Sequence, residues 1–224
     1  MNTNNQAKRI LCYGDSNTWG WVPGSMGKQR FDTSIRWPSL LQKKLKKEYE
    51  VIEEGLGART TSFDDPRPDF PERNGLTLLP ILLETHLPLD YVIIMLGTTD
   101  TKPLINKTPI EIGEGIRKLI KVIKQHRVLD NTQSPKILLV VPSIVNEKAS
   151  FASTLFKGGE EKGKALINIF KTISEEENIL YLDPTSKVKV DKAGDGVHLD
   201  KKGHKRLAKM IAEKINKERI IKND

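Results

Sequence analysis

Two short stretches at opposite ends of this 224-residue chain hold the residue types needed for nucleophilic catalysis. Near the start, Gly14-Asp15-Ser16-Asn17 follows the apolar run Ile10 to Tyr13. Such a run reads as a buried strand, and Gly, Asp, Ser and Asn favour the sharp turn that ends it. Ser16 then stands at the lip of a sheet, where a hydroxyl is a candidate nucleophile if a base can reach it. Serine also caps helices, so this stretch alone allows either role. Near the end, Asp195-Gly196-Val197-His198 sets a carboxylate three residues before an imidazole. On one turn the two share a face, with Asp195 accepting from one ring nitrogen while the other faces outward as a base. Pairs of this kind also arise by chance; the position of this one, in a loop before the last helix, is what singles it out. His86, His126 and His204 lack a carboxylate three residues before them and read as structural.

The elements that must bring these groups together are visible as alternation. Apolar, β-branched runs recur at Tyr49 to Ile52, Tyr91 to Leu96, Ile137 to Val141 and Ile179 to Leu182, with helical patterns between them. Strands alternating with helices predict a parallel sheet. The first three strands would end at Gly14-Asp15-Ser16-Asn17, Gly55-Leu56-Gly57-Ala58-Arg59 and Gly97-Thr98-Thr99-Asp100, all on one edge. Thr108-Pro109-Ile110-Glu111 is a capping box with Pro at the first helical position, followed by Ile112, Ile116, Leu119, Ile120 and Ile123 on one face. Leu207, Ile211 and Ile215 form a second core-facing stripe. The segments Phe63 to Asn74 and Pro184 to Leu199 read as loops. Alternation resumes after each, so one domain is expected over residues 1–224.

The formal charge of +8 raises a nucleic-acid reading. The lysines, however, cluster on outward helix faces such as Lys43, Lys44, Lys46 and Lys47, and all three Trp residues lie elsewhere, between Trp19 and Trp37. The interleaving of aromatics and cations used by single-strand binders is missing, so no nucleic-acid partner is expected. The lone Cys12 lies in a strand run, where its role is packing, and leaves no internal disulfide. Met1 to Lys8 is polar, and no apolar run approaches a membrane span. A cytoplasmic protein without a membrane partner is expected.

Taken together, the four blocks around Ser16, Ala58, Thr99 and His198 resemble, in order and approximate spacing, those of the SGNH, or GDSL-type, hydrolases. The resemblance covers essentially the whole chain. It runs closest to the small bacterial arylesterase and acyltransferase branch. The shared stretches are Gly-Asp-Ser-x-Thr-Trp-Gly-Trp-Val-Pro from Gly14, Val-Ile-Glu-Glu-Gly-Leu-x-Ala-Arg-Thr-Thr from Val51, Asp64-Asp65-Pro66, and Thr-His-Leu-Pro-Leu-Asp from Thr85, followed by Ile-Ile-Met-Leu-Gly-Thr.

The resemblance implies a three-layer α/β/α, flavodoxin-like fold with a five-stranded parallel sheet, and a serine esterase or acyltransferase for short carboxylic esters. Ser16 would attack the carbonyl, His198 would carry the proton, and Asp195 would hold the imidazole. The oxyanion would be met by the amides of Ser16 and Ala58 and by Thr99. Two positions depart from the pattern: Ala58 stands where glycine is usual, which keeps the amide, and Thr99 stands where the family has asparagine. Losing one oxyanion donor typically costs about 10²- to 10³-fold in turnover, which a threonine hydroxyl restores only in part.

Asp15, Trp19, Trp21 and Val197 are assigned to the substrate pocket, the two tryptophans as an apolar mouth that lets an alcohol compete with water. Asp15 and Asp100 are also expected to brace their loops. No cofactor or metal is implied. Branch relatives assemble as homo-oligomers, for which the Phe63 to Asn74 loop is an expected contact. Two other readings stay open: a metal-assisted phosphoester hydrolase holding Mg²⁺ or Mn²⁺ through Asp15, Asp100, Asp195 and His198, and a catalytically impaired binding module.

Overall fold

In a computed structural model, which describes residues 3–126, 134–191 and 194–221, the first apolar run forms the strand β1 (Lys8–Gly14). It is buried on both faces, with Ile10 and Cys12 turned to one side and Leu11 and Tyr13 to the other. A strand covered on both sides must be apolar throughout, which is why this run is continuous rather than alternating. Its neighbours are β2 (Tyr49–Gly55) and β3 (Tyr91–Met95); β4 (Lys136–Val140) and β5 (Leu180–Leu182) extend the sheet beyond β3. All pairings are parallel, in the order β2-β1-β3-β4-β5. This is the three-layer, flavodoxin-like arrangement the sequence implied.

The expected strands are present with small shifts at their ends. β2 runs on through Glu53 and Glu54, where the polarity of the sequence suggested a stop. An edge strand tolerates these carboxylates because each finds a partner: Glu53 accepts from Arg36 at 2.8 Å, and Glu54 meets His86 at 2.8 Å.

The helices are α1 (Ser16–Trp19), α2 (Trp37–Leu45), α3 (Gly75–Thr85), α4 (Pro109–Gln125), α5 (Ser150–Leu155), α6 (Gly159–Glu176) and α7 (Lys201–Ile221). Helices α2 and α7 cover one face, burying Trp37, Leu41, Leu207, Ile211 and Ile215 against Ile10, Ile93 and Leu138. Helices α3, α4 and α6 cover the other, where Leu79, Ile116, Leu119 and Phe170 meet Leu11, Val92 and Leu139. The capping box at Thr108 and Glu111 is formed as expected, starting α4 with Pro109 in its first turn. Among the described residues, no helix is long and apolar enough to cross a membrane.

Strand order reverses at β1, because the chain steps to β2 on one side and then to β3 on the other. The crevice outside the carboxyl ends of β1 and β3 is therefore where a ligand site forms in a sheet of this type. Two contacts set α1 over that edge. A Cβ added at Gly55, the last residue of β2, would lie 2.2 Å from the Trp19 nitrogen. The Arg59 guanidinium donates to the Gly14 carbonyl at 2.9 Å and stacks over the Tyr13 ring at 4.2 Å.

Because backbone, not a flexible side chain, occupies the space beside Gly55, Gly55→Ala is expected to displace α1 and destabilise the fold by about 1–3 kcal/mol, the usual range for overpacking. Urea denaturation checks this; an unchanged midpoint would remove the contact from the account.

Candidate active site

The turn after β1 is built around a cap. Asp15 is the N-cap of α1, its carboxylate accepting from the Asn17 amide at 2.9 Å, while Gly20, at φ 93°, ends the helix after one turn. Ser16 is thus the first helical residue, and Asp15, not Ser16, is the cap. Its hydroxyl meets the Nε2 of His198 at 2.9 Å, and the Nδ1 of the same ring meets Oδ2 of Asp195 at 2.8 Å. An ionised Asp195 fixes the proton on Nδ1, leaving Nε2 as the acceptor for the serine O–H. Residues 16 and 198 are joined by this one hydrogen bond across 182 positions of sequence.

The loop that presents His198 is held from several directions. Asp195 accepts from the amides of Val197 (3.0 Å) and His198 (2.9 Å) through Oδ1, and from the Gly24 amide at 3.1 Å through Oδ2. Burial alone would push this carboxyl up; the His198 ring and the neighbouring amides outweigh it and bring it from 3.8 down to about 2. Gly196 has φ 74°, and a Cβ there would fall 2.5 Å from the Asn146 carbonyl, so only glycine fits. Asn17 clasps the same loop to the serine turn, accepting from the Leu199 amide at 2.9 Å and donating to the Val197 carbonyl at 3.3 Å. Trp21 stacks on the imidazole with centroids 4.7 Å apart and planes 11° from parallel.

Ser16, Ala58 and Thr99 converge on one cavity of about 220 Å³. Ala58 sits at φ 64°, the left-handed region that glycine enters most easily, so alanine keeps the turn a glycine would make. Among the described residues, neither the Ser16 nor the Ala58 amide has a protein acceptor, and the Thr99 hydroxyl forms no side-chain bond. All three positions thus have a donor to offer a ligand. Asp100 ties their loops together, accepting from the Thr61 amide at 2.9 Å and the Thr61 hydroxyl at 2.6 Å. Burial lifts the Asp100 carboxyl to about 6.

Trp21 and Val197 line the cavity as expected, but Asp15 and Trp19 do not. Asp15 is 1% exposed, because capping α1 turns its carboxylate into the protein. Trp19 points away beneath the Arg30 guanidinium, 5.2 Å from its ring, and touches Trp21 edge-on. Several further lining residues were not singled out from sequence, among them Arg67 and Phe70 from the proline-rich loop, Lys102 beyond Thr99, and Phe151, Leu155 and Phe156 around α5. For Lys102 the signal was its place in the third strand-end loop; for Phe151 and Phe156, only the adjacency of β4 to the crevice.

The four residues named for a divalent ion do not converge. Asp195 and His198 are engaged with each other, Asp100 with Thr61 and Asp15 with Asn17. Among the described residues, no group of three or more His, Cys, Asp or Glu side chains is placed to hold a metal. The remaining histidines are structural: His204 accepts from the Trp37 amide at 3.3 Å and is pushed down to about 4 by burial, His86 pairs with Glu54, and His126 closes α4.

The profile of the GDSL-like Lipase/Acylhydrolase family matches residues 12–206. The chain is similar to the aryl esterase of M. smegmatis, at 38% identity and a TM-score of 0.86, over 94% of this chain and 99% of that one. It is likewise similar to Est24, a carbohydrate acetylesterase from Sinorhizobium meliloti, at 36% identity and a TM-score of 0.85, over 94% and 99% of the two chains. An acetylxylan esterase of Xylanibacter ruminicola is 25% identical over 93% of this chain. The chain spans only 43% of that curated relative's length.

A carboxyl held below its ordinary value stabilises the fold above its unfolded pKa, and that contribution is lost as pH falls through the folded one. For Asp195 the window is about pH 4 to 2. The stability difference between the wild type and Asp195→Asn should therefore shrink across that interval in pH-dependent denaturation; a difference that stays constant would contradict the bonding described.

Proposed function

The chain belongs to the GDSL-like Lipase/Acylhydrolase family, a family of ester hydrolases, and we propose that it cleaves short-chain carboxylic esters through an acyl-enzyme on Ser16. The observation that carries this reading is the continuous hydrogen-bonded series from Ser16 through His198 to Asp195, opening at its serine end onto the cavity. In the proposed reaction the Ser16 oxygen attacks the ester carbonyl while Nε2 of His198 takes its proton. Asp195 stabilises the imidazolium and keeps the ring in place. The tetrahedral oxyanion is met by the amides of Ser16 and Ala58, with the Thr99 hydroxyl as the third donor. Collapse breaks the carbon–oxygen bond to the alcohol, which leaves with the proton from His198. A water activated by the same nitrogen then releases the acid and restores the serine.

The cavity supports a small acyl group. At about 220 Å³ it falls below the usual range for drug-sized ligands, and Trp21, Phe70, Phe151 and Phe156 make much of its wall apolar. A wall of that kind holds little water and accommodates the alkyl part of an alcohol, which supports acyl transfer beside hydrolysis. The relatives named for carbohydrate acetates and acetylxylan agree with an acetyl-sized acyl group.

On para-nitrophenyl acetate, Ser16→Ala is expected to lower kcat by at least about 10³-fold, the scale of losing a serine nucleophile. Activity within tenfold of the wild type would sink the acyl-enzyme. In the same assay the octanoate ester should be the poorer substrate, and added alcohol should divert product from acid to new ester. Thr99→Asn is expected to raise kcat, by up to about 10²-fold. Equal or lower turnover would show that Thr99 does not limit oxyanion binding.

A further inference from the structure

Among the described residues, the charged and titratable side chains that line the cavity are all nitrogenous: Arg67, Lys102 and His198. The carboxylates nearby lie behind the wall. Asp15 and Asp100 are 1% and 0% exposed, and the side chain of Asp65 is fully covered, gripped at both oxygens by Arg67. Arg67 is thereby neutralised, and it also stacks over Phe70 at 3.8 Å.

Lys102 is different. It is 8% exposed, yet among the described residues no carboxylate lies within 4.0 Å of its ammonium. The contact it makes is with the Phe156 ring, whose centroid is 5.2 Å from Nζ. Burial pushes the group down to about 8, aided by repulsion from Arg67 and opposed by the more distant Asp65, Asp15 and Asp100. A buried ammonium without a paired anion is costly, and an apolar side chain of the same length would fill the space better. The position is also defined: the Lys102 amide donates to the Thr99 carbonyl at 3.2 Å, so the side chain departs from the turn that carries the third proposed oxyanion donor.

We propose that Lys102 receives a carboxylate carried by the substrate, so that the cavity prefers monoanionic esters to neutral esters of the same shape. The apolar wall then holds the ring or short chain between the scissile ester and the carboxylate. The catalytic part of this inference rests on the reading of Ser16 above; the binding part stands apart from it.

The test compares two pairs of esters on the wild-type protein and on Lys102→Met. Para-acetoxybenzoate against its methyl ester carries the charge on the leaving group; mono-para-nitrophenyl glutarate against para-nitrophenyl valerate carries it on the acyl chain. In at least one pair the wild type should favour the anion, and Lys102→Met should reduce kcat/KM for that anion about tenfold more than for its neutral partner, the scale of losing a hydrogen bond to a charged group. The arm that responds identifies the side on which the carboxylate sits. Equal losses in both pairs would overturn the proposal. Should Lys102→Met fail to fold, the wild type still decides: its preference for the anion must fall between about pH 7 and 9 as the ammonium deprotonates, and a flat ratio would overturn the proposal. Binding is read separately by tryptophan fluorescence with benzoate against benzamide. If benzoate binds in a Lys102-dependent way while no ester is cleaved, the reading of Ser16 fails and the carboxylate site stands; if benzoate binds no better than benzamide, the site fails.

Discussion

The hydrogen bond between Asp195 and His198 is the contact on which the rest of the site depends. A carboxylate that is 4% exposed is tolerable only when its oxygens are satisfied, and here the imidazole supplies one donor and three backbone amides supply the others. Those amides belong to Gly24, Val197 and His198, so meeting the needs of the acid also dictates the course of the loop. The ring orientation and the loop conformation are one requirement. Gly196 permits the bend, Asn17 anchors it to the serine turn, and Trp21 flattens itself against the ring.

The sheet contributes position where the loop contributes orientation. Parallel strands deliver the ends of β1, β2 and β3 to a common edge, and reversal of strand order at β1 opens a crevice there. Cross-ties then remove the remaining slack. Asp100 joins the third loop to Thr61, and Arg59 joins the second loop to the end of β1. These ties are polar and buried, so each is either fully formed or expensive, which favours a single arrangement of the three loops.

Much of this was legible because local chemistry and global pattern agreed. The apolar runs that are strands, the capping box at Thr108, and the spacing of Asp195 from His198 each carry their own physical signature. Where the sequence misled, a competing local role had won. Asp15 adjoins Ser16 yet serves as a helix cap, and Trp19 is two positions from Trp21 yet turns to Arg30 because α1 ends at Trp19 and Gly20, at φ 93°, redirects the chain between them. The cavity wall was the least visible part. Phe70, Lys102 and Phe151 come from three separate connections, and nothing in the period or composition of those segments says that they meet. Tertiary proximity between loops has no signature in one chain; the resemblance supplied the blocks but not the wall around them.

The 182-residue separation between the hydroxyl and its base has a consequence for biosynthesis. All five strands precede residue 198, so a nascent chain can close its sheet while Ser16 still lacks its imidazole. The Ser16 hydroxyl therefore gains its imidazole only once the loop before α7 has been made, and α7 must still follow to cover its face of the sheet.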